Sequence, residues 1–202
     1  TCYKRYQALV SNLELRIPIQ MIIKLPFLKH NEIKKELIQA VHDGWAEPKQ
    51  SNDKYYNDNI TKTDWDISND YERPWLKFFL PYFEPHLLNM VQAAGYANYE
   101  LFEIWFQSYV QNSTHGWHIH GRNFTGVYYV NLPEGTPKTQ IFDRELGVFP
   151  IKAEEGDIVM FPSHTLHRAP EMLLDKEKII ISFNVEMKGI LDSELERIAN
   201  AS

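Results

Sequence analysis

A histidine cluster stands directly before a strand-forming run in the segment His115-Gly-Trp-His-Ile-His-Gly-Arg-Asn-Phe-Thr-Gly-Val-Tyr-Tyr-Val-Asn-Leu132. Side chains two residues apart on a β-strand point to the same face, so His118 and His120 can present two imidazoles side by side. A third imidazole could come from His167, at the end of the later segment 164–167. Three such ligands would form a facial set on a metal ion and leave coordination positions open.

The other histidines are expected to lie outside this site. His115 stands on a turn and His164 is close in sequence to His167, and an open metal site rarely uses more than three protein ligands. No function is assigned to the remaining histidines, which are His30, His42 and His86. The metal itself stays open at this point, because imidazole suits zinc, copper, iron and nickel, and three histidines also form zinc sites of the carbonic-anhydrase type.

The composition is that of an ordinary globular protein. The chain has 202 residues, 44% of them apolar and 24% charged, which fits a single domain over 1–202. A net charge of −6 argues against nonspecific nucleic-acid binding, which needs a basic face. The sequence has no apolar run long enough to span a membrane, and its first residues lack the apolar core of a signal peptide. The single cysteine, Cys2, excludes an internal disulfide and fits a cytoplasmic location.

The N-terminal part, residues 1–99, is predicted to hold strands, helices and one polar segment. Residues 13–27 alternate loosely and predict one or two strands. A helix with a 3.6-residue apolar stripe is predicted to follow, with Asn31 as its N-cap and Gly44 as its stop. The polar segment 46–72 shows little periodicity and predicts a long surface loop, which could act as a lid.

A second helix is predicted over residues 73–95, with a break or kink at Pro81 and Pro85. The rest of the chain is rich in short strands, and a C-terminal helix is expected in the tail, 188–202. The predicted strands are 101–110, 124–132, 139–142, 147–151, 157–161 and 178–187. Evenly spaced short strands with helices before them favour a mainly β fold with flanking helices, a sandwich or jelly roll.

Residues 118–132 also carry a resemblance to a known family. In the prolyl-hydroxylase-like branch of the 2-oxoglutarate/Fe(II)-dependent dioxygenases, an H-x-D motif precedes a strand ending in Tyr-Tyr-Leu-Asn or similar. A Gly-Asp-hydrophobic-Phe strand, a distal histidine and a basic residue follow. Here those parts resemble Gly156-Asp-Ile-Val-Met-Phe161, His167 and Lys178. The resemblance covers about residues 100–187 and implies a jelly-roll catalytic core, the cupin-like double-stranded β-helix.

The same resemblance implies the cofactor Fe(II) and the cosubstrate 2-oxoglutarate. The diacid would chelate iron at one end, and its distal carboxylate would need a cation and hydroxyl donors, because a buried unpaired carboxylate is costly. Lys178 is the expected cation, Ser182 lies on the same strand face, and Tyr128 matches the tyrosine that reaches this carboxylate in related hydroxylases. Arg168 is a competing cation, but it should point away from iron if His167 faces it.

One departure from the family concerns the metal ligands. His120 stands where the family has a carboxylate, so three neutral imidazoles would leave the site one negative charge short of the usual set. Asp143 is a less suitable substitute, because it follows the strand that should carry the first ligands.

The sequence does not name the substrate. Arg122 and Asn123 lie beside the metal motif and could orient an acidic or amide group of the substrate. Trp117 could line the substrate pocket. Trp65 and the Tyr55-Tyr56 pair are further candidates for residues that line this pocket. Each aromatic is individually more typical of packing than of binding. The expected partner is a small-molecule or peptide substrate, and no oligomeric state is predicted.

Three functions remain to be distinguished. The leading one is an Fe(II)/2-oxoglutarate dioxygenase, an oxidoreductase that hydroxylates its substrate with release of succinate and CO2. The second keeps the metal but uses no 2-oxoglutarate. The third is a jelly-roll binding module without catalysis, whose metal is structural or absent.

Overall fold

A computed structural model describes residues 22–52 and 57–201. Within these ranges the chain forms eleven strands, three α-helices and one 3-10 turn, Trp65–Ile67. The strands are β1 (Ile23–Pro26), β2 (Glu47–Asn52), β3 (Asn57–Thr63), β4 (Tyr96–Tyr109), β5 (His115–His118), β6 (Phe124–Asn131), β7 (Gln140–Asp143), β8 (Gly147–Pro150), β9 (Asp157–Pro162), β10 (His167–Ala169) and β11 (Lys178–Ile190). The helices are α1 (His30–Asp43), α2 (Pro74–Ala93) and α3 (Asp192–Ala201).

The strands form two antiparallel sheets. The seven-stranded sheet has the order β1-β9-β6-β11-β4-β3-β2, and the four-stranded sheet has the order β5-β10-β7-β8. Apolar side chains from the inner faces of both sheets, such as Phe161 on β9 and Ile141 on β7, share one buried cluster. The predicted mainly β jelly roll with flanking helices is therefore confirmed.

The seven-stranded sheet is buried on both faces, and β6 shows how. Its residues Phe124, Tyr128 and Val130 pack against the helical layer, where α1 and α2 bury their apolar stripes. The alternate residues Val127 and Tyr129 belong to the cluster between the sheets. Because both faces are covered, β6 is buried from Phe124 to Val130 instead of alternating between buried and exposed residues.

One glycine in β6 is required by a close approach. Gly126 lies opposite Phe183 of β11, and a Cβ at this position would come within 2.2 Å of the Phe183 ring. That ring is fully buried and packs edge-on against Phe83 of α2, so it has no room to retreat. The glycine therefore lets α2 lie close to the sheet.

Three predictions about the first half need correction. Helix α1 begins at His30, with Lys29 as N-cap and no side-chain cap, so Asn31 lies inside the helix. Helix α2 runs through Pro81 and Pro85 without a break. Each proline removes one backbone donor, but the buried face of the helix packs along the sheet and holds the segment helical.

The predicted loop 46–72 is also wrong for residues 47–52 and 57–63, whereas 64–72 consists of turns. Strands β2 and β3 form a hairpin, and β3 pairs with β4 through Lys62 and Thr63. The hairpin lies at the edge of its sheet, where water can solvate one face, and this explains why its sequence is polar. The Tyr55-Tyr56 pair and residues 13–21 lie outside the described residues.

The predicted strands of the second half are confirmed, with β4 and β11 longer than expected. The tail helix is α3. None of the helices among the described residues has the length and apolarity needed to cross a membrane.

Candidate metal centre and cosubstrate pocket

Three histidines converge where the two sheets meet. His118 ends β5 and pairs in register with His167, which begins β10. His120 follows β5, and its Nε2 lies 3.3 Å from Nε2 of His167. One ring nitrogen from each of the three imidazoles lies within 4.8 Å of the others. The predicted cluster is thus brought together by strand pairing between segments almost 50 residues apart.

The hydrogen bonds of two of these rings orient them for metal binding. The Nδ1–H of His118 donates to the carbonyl of Gly116 at 2.7 Å, and the Nδ1–H of His167 donates to the carbonyl of Thr165 at 2.8 Å. A carbonyl can only accept, so Nδ1 carries the proton and Nε2 keeps its lone pair. Such outer hydrogen bonds select the tautomer and orientation of histidine ligands in metal sites.

Burial keeps the three rings neutral. Burial, reinforced by nearby His118, lowers the pKa of His120 to about 3 and that of His167, which also faces His120, to about 2. The pKa of His118 is lowered as well, again by burial. Neutral imidazole is the form that binds a cation, so the donor set fits a divalent transition metal such as Fe(II).

The neighbouring candidates for ligands do not join this group. His115 stacks on His118 with ring centroids 3.8 Å apart, and its Nδ1 lies 3.3 Å from Nε2 of Gln107. His164 is exposed on the turn before β10. Asp143 uses its carboxylate to accept the backbone N–H groups of residues 145 and 146, which makes it a turn residue.

A small cavity of about 20 Å³ lies behind the histidines between the sheets. Its wall includes Trp105, Gln107 and Tyr109 of β4 beside Ile180 and Ser182 of β11. Trp105 lies close to the metal-binding end, with its ring centroid 5.8 Å from that of His120. The pairing of the two strands places Tyr109 four residues further along, at the opposite end of the row.

Two donors in this wall lack acceptors among the described residues. The indole N–H of Trp105 and the hydroxyl of Tyr109 are buried, and neither has a hydrogen-bond partner among the described residues. Leaving such a group unpaired costs roughly 1–3 kcal/mol, so acceptor atoms of a bound molecule would be stabilised here. The Ser182 hydroxyl donates to Gln107 Oε1 at 3.0 Å.

Lys178 lies at the end of this row, opposite Tyr109 in the strand pairing. It is 1% exposed, its Nζ lies 4.5 Å from the centre of the Tyr109 ring, and it donates to the carbonyl of Pro137 at 3.1 Å. Burial lowers its pKa to about 7. Tyr109 lines the cavity, whereas Lys178 lies on the other side of the Tyr109 ring and does not line it. No carboxylate among the described residues forms an ion pair with Lys178.

No family model matches the sequence, and no curated protein matches it. Solved structures do match in fold. One is an oxidoreductase of the 2OG-Fe(II) oxygenase family from Burkholderia pseudomallei, with a TM-score of 0.64, 10% identity and coverage of 93% of this chain and 92% of that chain. Another is a prolyl hydroxylase from Trichoplax adhaerens, in complex with a peptide of the hypoxia inducible factor oxygen degradation domain. Its TM-score is 0.61 at 14% identity, covering 90% of both chains.

A third match is a non-haem alpha ketoglutarate dependent epimerase from nogalamycin biosynthesis, with a TM-score of 0.63, 12% identity and coverage of 90% of this chain and 84% of that chain. This chain has the fold of the 2-oxoglutarate/Fe(II) oxygenases. The likeness spans nearly the whole length of each protein, so the helical layer as well as the jelly roll belongs to the shared fold.

Within this oxygenase fold, the assignment of Tyr128 to the cosubstrate needs correction. Tyr128 lies on the helical face of β6, where its hydroxyl is 2.8 Å from Nδ1 of His30. Tyr129 faces the other sheet instead and donates to Thr139, which lines the cavity. Only one residue of a consecutive pair can face a given sheet, and the sequence motif alone does not say which.

The predicted substrate residues lie outside the metal cavity. Arg122 stacks on Phe102, and Trp117 lies against the guanidinium of Arg168, whose Nε donates to Gln140. Asn123 uses both ends of its amide to pair with the backbone of Met187. That pairing leaves no free amide group on Asn123 for a substrate. Trp65 stacks behind Trp105, with centroids 5.9 Å apart.

Trp105, Gln107 and Tyr109 were not predicted as site residues. They alternate along β4, which is the pattern expected of any strand with one face towards a core. Their unpaired donors become visible only when the strand is placed beside β11.

Proposed function

We propose that this protein is a non-haem Fe(II)/2-oxoglutarate-dependent dioxygenase in which His118, His120 and His167 hold the iron. The observation that carries the proposal is the convergence of three neutral imidazoles at the mouth of a buried cavity with unpaired donors. The oxygenase fold around them supports it. With iron, 2-oxoglutarate and dioxygen bound, such a centre oxidises a substrate C–H bond and releases succinate and CO2.

The chain's own residues would bind and orient the diacid. The N–H of Trp105 lies at the metal-binding end of the cavity, where it can donate to an oxygen atom of a ligand. The Ser182 hydroxyl lies opposite Trp105 and would donate to the ligand by releasing Gln107. Tyr109 and Lys178 lie at the far end, where a carboxylate would satisfy an unpaired hydroxyl and a buried ammonium together. Lys178 reaches it by releasing the Pro137 carbonyl. Tyr129 supports this wall through Thr139.

The walls would also exclude water. Trp105 is 1% exposed, Tyr109 is fully buried, and Val127 and Ile180 complete an apolar lining on the seven-stranded sheet. Excluding water strengthens each hydrogen bond to the bound diacid and protects the reactive centre from side reactions.

The substrate would approach from the open side of the three histidines. Hydroxylation of a small molecule or peptide in the cytoplasm is the reaction we favour, and the single cysteine is in keeping with that compartment. One structural relative was solved with a peptide, and another is an epimerase. Arg122 and Trp117 border the metal motif outside the cavity and are the remaining candidates for contacts with the distant part of the substrate.

The test is an anaerobic titration of the metal-free protein with Fe(II) and then 2-oxoglutarate. Chelation of iron by the diacid should give a weak visible absorption band, and admission of air should convert 2-oxoglutarate to succinate. The His167→Ala variant should show neither signal. If His167→Ala released succinate at the wild-type rate, these histidines would not be the ligands of the catalytic iron.

A dioxygenase that does not use 2-oxoglutarate remains the second candidate, because Nζ of Lys178 binds Pro137 and lies behind Tyr109. Lys178→Ala distinguishes the two. It should weaken 2-oxoglutarate binding by at least about tenfold in the first case, since a charged hydrogen bond is worth about 1.5–3 kcal/mol, and leave the second unaffected. Lys176→Ala is the matched control, because this lysine is exposed and its Nζ donates to the backbone carbonyl of Glu134 at the surface.

A further inference from the structure

The proposed metal centre has no anionic ligand. Its three imidazoles are neutral, so a divalent ion bound there would keep its full charge, whereas two histidines and one carboxylate would cancel part of it. A charge of this size inside a protein is stabilised by anionic groups close by, even when they do not touch the ion.

One carboxylate lies near the ligands, and it comes from outside the jelly-roll core. Asp58 is near the start of β3. This strand belongs to the hairpin found in the segment that was predicted to be a loop. Its Oδ1 accepts the backbone N–H of Gly116 at 2.9 Å and lies 3.7 Å from Nε2 of His115. The Asp58 side chain is 21% exposed and that of His115 is 6% exposed. The contact is therefore largely shielded from water.

Both partners of Asp58 contact the metal ligand His118. The carbonyl of Gly116 accepts the Nδ1–H of His118, and the ring of His115 lies nearly parallel to the His118 ring, 17° from it in plane. The Asp58 carboxylate is therefore connected to His118 in two ways, through the backbone of Gly116 and through the ring of His115. The hairpin is held to this position by paired hydrogen bonds between the backbones of Asn59 and Thr114, at 2.9 and 3.0 Å.

We propose that Asp58 is a positioning residue of the metal centre, which orients His118 through Gly116 and His115 and supplies negative charge that the three imidazoles lack. This inference rests on the proposed function only for the presence of the metal. It gives the β2–β3 hairpin a role, because the hairpin delivers the carboxylate to a site whose ligands all come from the other half of the chain.

The alternative is that Asp58 only fixes the turn at Gly116. Asparagine has the same shape and keeps an oxygen that can accept the Gly116 N–H, so Asp58→Asn removes the charge and spares that hydrogen bond. Asp58→Glu keeps the charge and moves it. Glu171→Gln is the matched control, because Glu171 is an exposed carboxylate lining the same polar groove as Asp58.

The experiment is titration of each metal-free, full-length protein with Co(II) alone, followed by the visible spectrum of the bound ion. Co(II) serves as a spectroscopic probe that needs no 2-oxoglutarate and no turnover. Asp58→Asn should bind Co(II) about 10- to 100-fold more weakly, the usual effect of removing an outer partner of a metal ligand. Asp58→Glu should recover part of the loss, and Glu171→Gln should stay within about twofold of wild type.

An affinity of Asp58→Asn within twofold of wild type overturns the inference, and so do equal losses in Asp58→Asn and Asp58→Glu, which would indicate a purely geometric role. Thermal unfolding of the metal-free variants shows whether they fold. If Asp58→Asn does not fold, Asp58→Glu decides alone: retained binding supports the role of the charge and lost binding overturns it. Absence of Co(II) binding to the wild-type protein would instead refute the proposed function.

Discussion

At the scale of single residues, His120 distinguishes this site from the usual pair of histidines with a carboxylate. Its ring centroid lies 5.8 Å from that of Trp105 and 5.1 Å from that of His167, and one of its ring nitrogens lies within 4.8 Å of those of the other two imidazoles. The substitution therefore alters the charge of the site and leaves its three-ligand geometry in place.

Restoring the carboxylate should strengthen metal binding. We expect His120→Asp to bind Fe(II) or Co(II) about tenfold more tightly than wild type, since an anionic ligand offsets part of the ion's charge. Competition with a chelator of known affinity measures the change. His120→Ala is the control, and an affinity of His120→Asp as low as that of His120→Ala would show that aspartate cannot reach the ion.

Lys178 should make 2-oxoglutarate binding sensitive to pH. Burial lowers its pKa to about 7, so the free protein loses the ammonium as the pH rises through that value. A carboxylate needs the charged form, so affinity should be constant below pH 7 and fall by up to about tenfold per pH unit above it. Calorimetry at saturating metal between pH 6 and 9 measures the profile.

Lys178→Arg is the control for this profile, because arginine stays protonated throughout the range. Its affinity for 2-oxoglutarate should be nearly independent of pH in the same experiment. A wild-type profile as flat as that of Lys178→Arg would contradict a role for this ammonium.

At the scale of the elements, β6 joins the two cores, because its faces pack on the helices and on the small sheet. Gly126 is its most constrained position. We expect Gly126→Ala to lower the free energy of unfolding by about 1–3 kcal/mol, since its Cβ would enter the space of the buried Phe183 ring. Urea unfolding checks this. Gly121→Ala should change little, because a Cβ there meets nothing within 4 Å, and equal effects would contradict the packing argument.

The β2–β3 hairpin shows the limit of reading elements from polarity. A polar segment is typical of a loop, but an edge hairpin with one solvated face has the same composition. Its pairing with β4 and its bridge to Thr114 are contacts with distant parts of the chain, so no local pattern could predict them.

At the scale of the whole molecule, the helical layer contains a half-buried histidine, His86 of α2. Its Nε2 is buried without a partner among the described residues, and its ring packs against Phe27 at 5.3 Å. Burial lowers the pKa of this histidine below its ordinary value of 6.5. The unfolded chain therefore takes up the proton first as the pH falls, and the stability present above pH 6.5 is lost below it.

Replacing His86 should make the metal-free protein less sensitive to acid. We expect His86→Phe to match wild type near pH 7.5 and to become more stable than wild type at pH 5, because phenylalanine keeps the ring contact and cannot be protonated. Chemical denaturation at several pH values gives both curves. Parallel curves would show that His86 does not contribute to acid unfolding.

Local patterns in the chain were enough to predict the β-rich second half, the tail helix and the histidine set, because alternation, turn residues and motif spacing are properties of neighbouring residues. Pairing decided the rest. The register of β6 on β11, with a bulge between Ile179 and Ile180, turns Tyr129 towards the cavity and Tyr128 towards His30. Likewise, Asp58 reaches Gly116 only through the folded hairpin. Such contacts join residues far apart in sequence, and their free energy depends on how the sheets and helices pack together.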